Sequence, residues 1–299
     1  MTELNYELGN LVGSPVEVTD RVIEVCRTND QFGALIYELY KEAGGLICVT
    51  SGAYFGQTAE AIEFDRNQAI CAALLVRISK LMTSVVKLSA DIEHGETVQA
   101  LNRCIIESAV NLRYLLFKND DAAYDKFVKS SLVAERELYD MIQGKIEARG
   151  GEQLAIEQGM LESIKDTCEQ SGVVVGEVNS KARDVNFRDK LTALKYDWPA
   201  YTVLERIPSH AIHGDWVDLV KNHLLSKGDG FEPNYDRLNT DGELLSPIGI
   251  FVVEAAQDYL NKYFDLADVK PLHERLASVQ ERLKRVESAR QDWQIAGQK

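Results

Sequence analysis

Ala69-Ile70-Cys71-Ala72-Ala73-Leu74-Leu75-Val76 is the stretch on which the fold turns. It lies inside a longer pattern over residues 58–92. There Ile62, Phe64, Ala69, Leu74, Ile78, Leu81, Val85 and Leu88 recur at mixed three- and four-residue spacings. That periodicity predicts a helix. An ordinary surface helix keeps one polar face, but the middle of this one is apolar nearly all round, so it is expected to be buried on several sides. A helix of this kind needs other helices packed around it, and the rest of the chain supplies them.

Upstream, residues 19–42 read as an amphipathic helix capped by Thr19 or Asp20, with Val22, Cys26, Leu35, Leu39 and Tyr40 apolar. Gly44-Gly45 is taken as its end, and 45–57 as a loop with a possible short extended piece. Downstream, His94-Gly95 marks a turn, and helices are expected over 96–118, 121–149 and 152–170. Within 171–186, Val173-Val174-Val175 reads equally as a short strand or a buried loop. Helical character returns over 187–196, 198–213, 215–226 and 246–265, with 227–243 as a polar surface loop. Pro247 suits the first turn of its helix. From Pro271 the last helix carries Leu272, Leu276, Val279, Leu283 and Val286 at heptad spacing. That seam serves either a terminal helix packed on its own domain or a dimerising arm. The chain divides accordingly into residues 1–57, a main bundle over 58–266 and a heptad helix over 267–299. The fold class is all-α, a bundle of about eight to ten helices.

Composition narrows the function. Of 299 residues, 45% are hydrophobic and 27% charged, which fits a globular protein with a sizeable core. The net charge of −14 repels phosphate backbones at long range and argues against non-specific DNA binding, leaving room only for a local RNA site. Five cysteines at wide spacings, with no C-x-x-C, fit reduced thiols in a reducing compartment. The acidic start, Met1 to Asn5, lacks a signal-peptide core, and the uncharged run from Ala43 to Ala59 is too polar to span a bilayer. A cytoplasmic protein with no membrane partner is expected.

Two segments carry chemistry. Arg103, Glu107 and Asn111 stand at i, i+4 and i+8 on one helix face, with Tyr114 close by. If that face is buried, Arg103 and Glu107 must pair; if exposed, they form an ordinary surface ion pair. The second segment holds Arg206, Ser209, His210 and His213. Histidine exchanges protons near neutral pH, and arginine holds phosphate by parallel hydrogen bonds. The combination suits RNA cleavage, and it equally suits a purely structural polar network. Pro208 predicts a kink or a helix start at 207–208. A metal site through His210, His213 and His223 is disfavoured, because no H-E-x-x-H or paired E-x-x-H is present. No cofactor is expected: no P-loop and no G-x-G-x-x-G occur.

The pair R-x3-E-x3-N-x2-Y-L (Arg103, Glu107, Asn111, Tyr114, Leu115) and S-x3-H-G (Ser209, His213, Gly214) resembles a bacterial family of helical proteins labelled a domain of unknown function, over roughly 60–265. More distantly, the helix pair resembles the HEPN superfamily of helical, often dimeric proteins, in which an R-x4–6-H motif cuts RNA without metal. Arg206 and His213 match the outer spacing, and the pattern departs from it at Ile207 and Pro208. The resemblance implies a metal-independent endoribonuclease or toxin-type component of a defence system. His213 would be general acid or base, Arg206 or Arg103 would hold phosphate, and Ser209, Glu107 and Asn111 would orient them. RNA and a homodimer or helical protein partner are the implied partners. The alternative is a non-enzymatic interaction or sensor protein in which the same residues fix helix register.

Overall fold

The Thr19 hydroxyl accepts from the Val22 amide at 3.3 Å, capping α1 (Asp20–Asn29). Asp30, at φ 53°, ends it in the left-handed region, and α2 (Phe32–Ser51) follows. Asp65 accepts from the Gln68 amide at 2.9 Å and starts α3 (Arg66–Ser89). The chain continues through α4 (Gly95–Lys118), α5 (Asp121–Ser131), α6 (Val133–Ala148), α7 (Ala155–Gln170), α8 (Phe187–Ala193) and α9 (Trp198–Tyr201). A wide π turn, Thr202–Arg206, leads into α10 (Ile207–His213). Then come α11 (Trp216–Asp218), a second π turn (Leu219–His223) and the hairpin β1 (Leu224–Lys227) and β2 (Gly230–Pro233). The order closes with α12 (Leu245–Tyr263) and α13 (Lys270–Gly297). This computed structural model describes residues 10–53, 64–90, 93–236 and 244–297. The fold is all-α, with one two-stranded sheet among the described residues.

Two compact units emerge. The first, residues 1–117 and 190–299, is built on α2, α3, α12 and α13 packed together. Its core holds Phe32, Ile36, Leu39 and Tyr40 of α2, Leu75, Ile78 and Met82 of α3, Val252 and Tyr259 of α12, and Leu276, Val279 and Leu283 of α13. Each fully buried aliphatic side chain contributes about 1.5–3 kcal/mol. The α13 seam is thus spent inside its own unit, against α2 and α12. α3 is long and apolar enough to cross a membrane by composition alone, but Cys71, Leu74, Leu75, Ile78, Met82 and Val85 face protein.

The charged centre of this unit is Glu42, on the buried face of α2. Its Oε2 accepts from Arg282 Nη1 at 2.7 Å and from the Val16 amide at 2.9 Å; its Oε1 accepts from Arg275 Nε at 2.7 Å. Burial pushes the Glu42 carboxyl up, and hydrogen bonds from Arg282, Val16 and Arg275 outweigh it, holding the group below the usual carboxylate range. Arg282, Arg275 and Arg285 also donate to the carbonyls of Val16, Gly13 and Val18, tying α13 to the segment before α1.

The second unit, residues 118–189, holds α5, α6 and α7. Tyr124, Val128, Ile142, Leu161, Ile164 and Cys168 form its core. Arg136 donates to the Val175 carbonyl at 2.8 Å, and Arg149 pairs with Glu157.

Several boundaries differ from the sequence reading. Helix 19–42 is two helices, broken at Asp30, and α2 runs on through Gly44-Gly45 to Ser51 rather than stopping there. Those glycines serve packing: a Cβ on Gly44 would meet Met82 at 3.5 Å, and one on Gly45 would meet Val12 at 3.1 Å. Helix 121–149 breaks at Leu132, where Ser130 and Ser131 donate to the Phe127 and Val128 carbonyls and compete with the helical ladder. Val173–Val175 is not a strand: Gly172, at φ 67°, terminates α7, and a 3-10 turn occupies Val175–Glu177. The expected helix 215–226 gives way to a π turn and β1, and the expected loop beyond it forms β2 through a turn at Gly228 (φ 57°). Ile62, and residues 237–243 of the expected loop, lie outside the described residues.

Candidate functional site

Pro208 shapes the segment that carries the histidines. It lacks an amide proton, and its ring would clash with the carbonyl four residues back in a regular helix. The chain widens into the π turn Thr202–Arg206 and restarts as α10 with proline in the first turn. Turns of this kind concentrate at functional sites. Gly214 ends α10 at φ 56°, its amide donating to the His210 carbonyl. The next residue, Asp215, then has two tasks. Its Oδ1 accepts from the Val217 and Asp218 amides at 3.0 and 3.3 Å, and its Oδ2 stands 2.5 Å from His210 Nδ1. The His210 hydrogen bond holds the Asp215 carboxyl below its ordinary range. With Nδ1 engaged, His210 Nε2 is the nitrogen left to exchange protons.

The other candidates divide into three groups. Arg103 is buried; its Nη1 donates to Glu107 Oε2 at 3.1 Å, and its Nη2 lies 3.6 Å from Glu205 Oε1. Ser209 Oγ donates to the Glu205 carbonyl at 2.6 Å, so Glu205 joins α4 to the segment entering α10. Asn111 and Tyr114 gather at Lys190, whose Nζ donates to Asn111 Oδ1 at 2.6 Å and stands 5.8 Å from the Tyr114 ring centroid. Arg206 and His213 are exposed and make no hydrogen bond or ion pair among the described residues. Seven positions apart, they fall on one helical face. Arg103 thus serves carboxylates, and Arg206 is the arginine open to an anion.

Reading the sequence for motifs missed four contributors, Asp215, Phe231, Asp218 and Asn102, and named Trp216 without its partner ring. For Asp215 the signal is a histidine followed by Gly-Asp, a C-cap and an N-cap back to back. Trp216 and Phe231 meet edge to face at 5.5 Å between centroids, and they are 59% and 52% exposed. Asp218 is buried, accepts from Asn222 at 2.8 Å and stands 3.4 Å from His223 Nε2. Asn102, on α4, lines a cavity of about 250 Å³ together with Ile106, Leu204, His210, Ala211 and Phe251. Among the described residues, no group of three or more His, Cys, Asp or Glu side chains is placed to hold a metal ion.

The family model described as a family of unknown function, DUF5677, matches residues 68–231. That span takes in most of α3, then α4, the π turns, α10, β1 and the first half of β2. No curated protein and no solved structure matches the chain.

Proposed function

The chain belongs to the family of unknown function DUF5677, and from that premise we propose that it cleaves RNA without a metal at the exposed face of α10, as a component of a bacterial defence system. The observation that carries this reading is the 2.5 Å contact of Asp215 with His210 Nδ1, which leaves Nε2 for proton transfer on a short helix that follows exposed Arg206 and carries exposed His213. In the reaction, His210 takes the proton of a ribose 2′-hydroxyl as its oxygen attacks the adjacent phosphorus. His213, protonated, gives a proton to the departing 5′-oxygen, and Arg206 neutralises the phosphorane charge. The products are a 2′,3′-cyclic phosphate and a 5′-hydroxyl. Trp216 and Phe231 offer exposed rings on which unpaired bases stack, at about 1–3 kcal/mol per base. The R-x6-H spacing shared with HEPN ribonucleases favours the same reaction.

The test is labelled single-stranded RNA incubated with the protein in EDTA. Cyclic phosphate ends should appear and should vanish when the scissile ribose is 2′-deoxy. His210→Ala should lower the rate by about 10²–10⁴, the usual contribution of positioned acid–base catalysis. Wild-type protein that leaves RNA intact, or a His210→Ala protein as active as wild type, would falsify the reading. One observation favours a second reading, a non-enzymatic interaction or sensor protein: buried Arg103 pairs with both Glu107 and Glu205, as in a network that fixes helix register. In that case Glu205→Gln lowers stability, and no variant affects RNA.

A further inference from the structure

Asn102 is 3% exposed, and neither its amide nitrogen nor its amide oxygen has a hydrogen-bond partner among the described residues. A buried amide that satisfies neither donor nor acceptor bears the full desolvation penalty of both. It is found in the wall of the cavity of about 250 Å³ between α4, the segment around α10 and α12. The remainder of that wall is mostly apolar, with Ile106, Leu204, Ala211, Ile248 and Phe251. Its polar part is His210, Gln99, Asp218, Lys221 and Asn222. Small-molecule sites have this composition, an apolar concavity with a few polar groups that fix orientation. At this volume the cavity falls just below the range of about 300–1,000 Å³ for drug-sized ligands, so its occupant is smaller than those.

We propose that this cavity binds a small, largely apolar molecule bearing an amide-like edge: a primary amide, a lactam or the edge of a nucleobase. The carboxamide of Asn102 carries one acceptor and one donor side by side, and its complement is a ligand presenting a donor and an acceptor on one edge. The same geometry lets asparagine read adenine through paired hydrogen bonds. A ligand with only apolar atoms leaves the amide as it stands and gains no orientation. The proposal does not require RNA cleavage: Asn102 is assigned no proton-transfer step, although His210 shares the cavity wall.

Benzamide and toluene serve as probes, one with the amide edge and one without. Their binding to the full chain is measured by saturation-transfer NMR and by the shift in thermal unfolding. Benzamide should bind saturably and raise the melting temperature more than toluene does. Asn102→Leu, close in size and without polar atoms, should weaken benzamide about tenfold or more while leaving toluene unchanged. Ala211→Phe, which fills the cavity, should abolish binding of both. Absence of saturable benzamide binding to the wild-type protein overturns the proposal. So does benzamide binding that Asn102→Leu and Ala211→Phe, each with native circular dichroism, leave intact. RNA cleavage is assayed separately on the same proteins, so the failure of one reading is distinguishable from the failure of the other.

Discussion

Glu42 shows what a single buried charge demands of its surroundings. Taking a carboxylate out of water is costly, and removing one partner of such a group leaves the others exposed to the same cost. Glu42→Gln strips the negative charge from between Arg275 and Arg282 and should destabilise the protein by about 3 kcal/mol, measured by urea unfolding at neutral pH. The sign of the pH effect follows from the lowered Glu42 value. A carboxylate held below its unfolded value contributes stability that is present above the ordinary carboxylate range and lost as pH falls through the folded value. Unfolding free energy measured down the acid limb should therefore drop in the wild type and flatten in Glu42→Gln. An equal slope in both proteins would mean that other carboxylates govern acid unfolding. This residue was illegible beforehand for a definite reason. Leu39, Glu42 and Leu46 stand on one helical face, and one carboxylate in an apolar stripe looks like an edge position until its arginines are placed opposite. Arg103 was the easier case, because an arginine among buried neighbours must find carboxylates, and Glu107 stood one turn away.

Among the elements, periodicity located α4, α12 and α13 well because each buries an apolar stripe long enough to dominate its local preferences, whereas α3 starts at Arg66, beyond Phe64 of the expected pattern. It failed where short-range signals competed with packing. Gly44-Gly45 has the chemistry of a helix end, yet α2 passes through it, with Gly45 so close to Val12 that an added Cβ would crowd it. The strands of the hairpin are four residues each, too short to impose an alternating pattern. The heptad seam left two destinations open, and its burial against α2 and α12 decides between them. Leu283→Ala should accordingly cost about 2–5 kcal/mol, since it opens a cavity in a closed core. Light scattering should return the same molar mass for variant and wild type. A mass change without loss of stability would place the seam between copies instead. The candidate site was half legible: both histidines and Arg206 stood out by type and spacing, whereas Asp215 and Asn102 acquire meaning only from what lies beside them in space.

The whole molecule carries a net charge of −14, and that sets how it meets a polyanion. Proteins that bind nucleic acid through basic surfaces lose affinity steeply with salt, in proportion to the phosphates they neutralise. Here the proposed site offers Arg206 and a protonated histidine. The slope of log affinity for single-stranded RNA against log salt should therefore be shallow, about −1. A slope near −5, read from filter binding across 50–300 mM salt, would require an extended basic surface instead of the two cations of the proposed site. The larger unit is also discontinuous, with residues 118–189 forming a separate unit between its two parts. The arginines of α13 grip Gly13, Val16, Val18 and Glu42, more than two hundred positions upstream. Translation runs at roughly 5–20 residues per second, so the early helices wait on the order of ten seconds or more on the ribosome for the segment that completes them. A nascent chain interrupted before α13 emerges keeps the apolar face of α2 unclosed and is fit for degradation. Whatever this protein does, the core around α2 is complete only after synthesis has delivered α13.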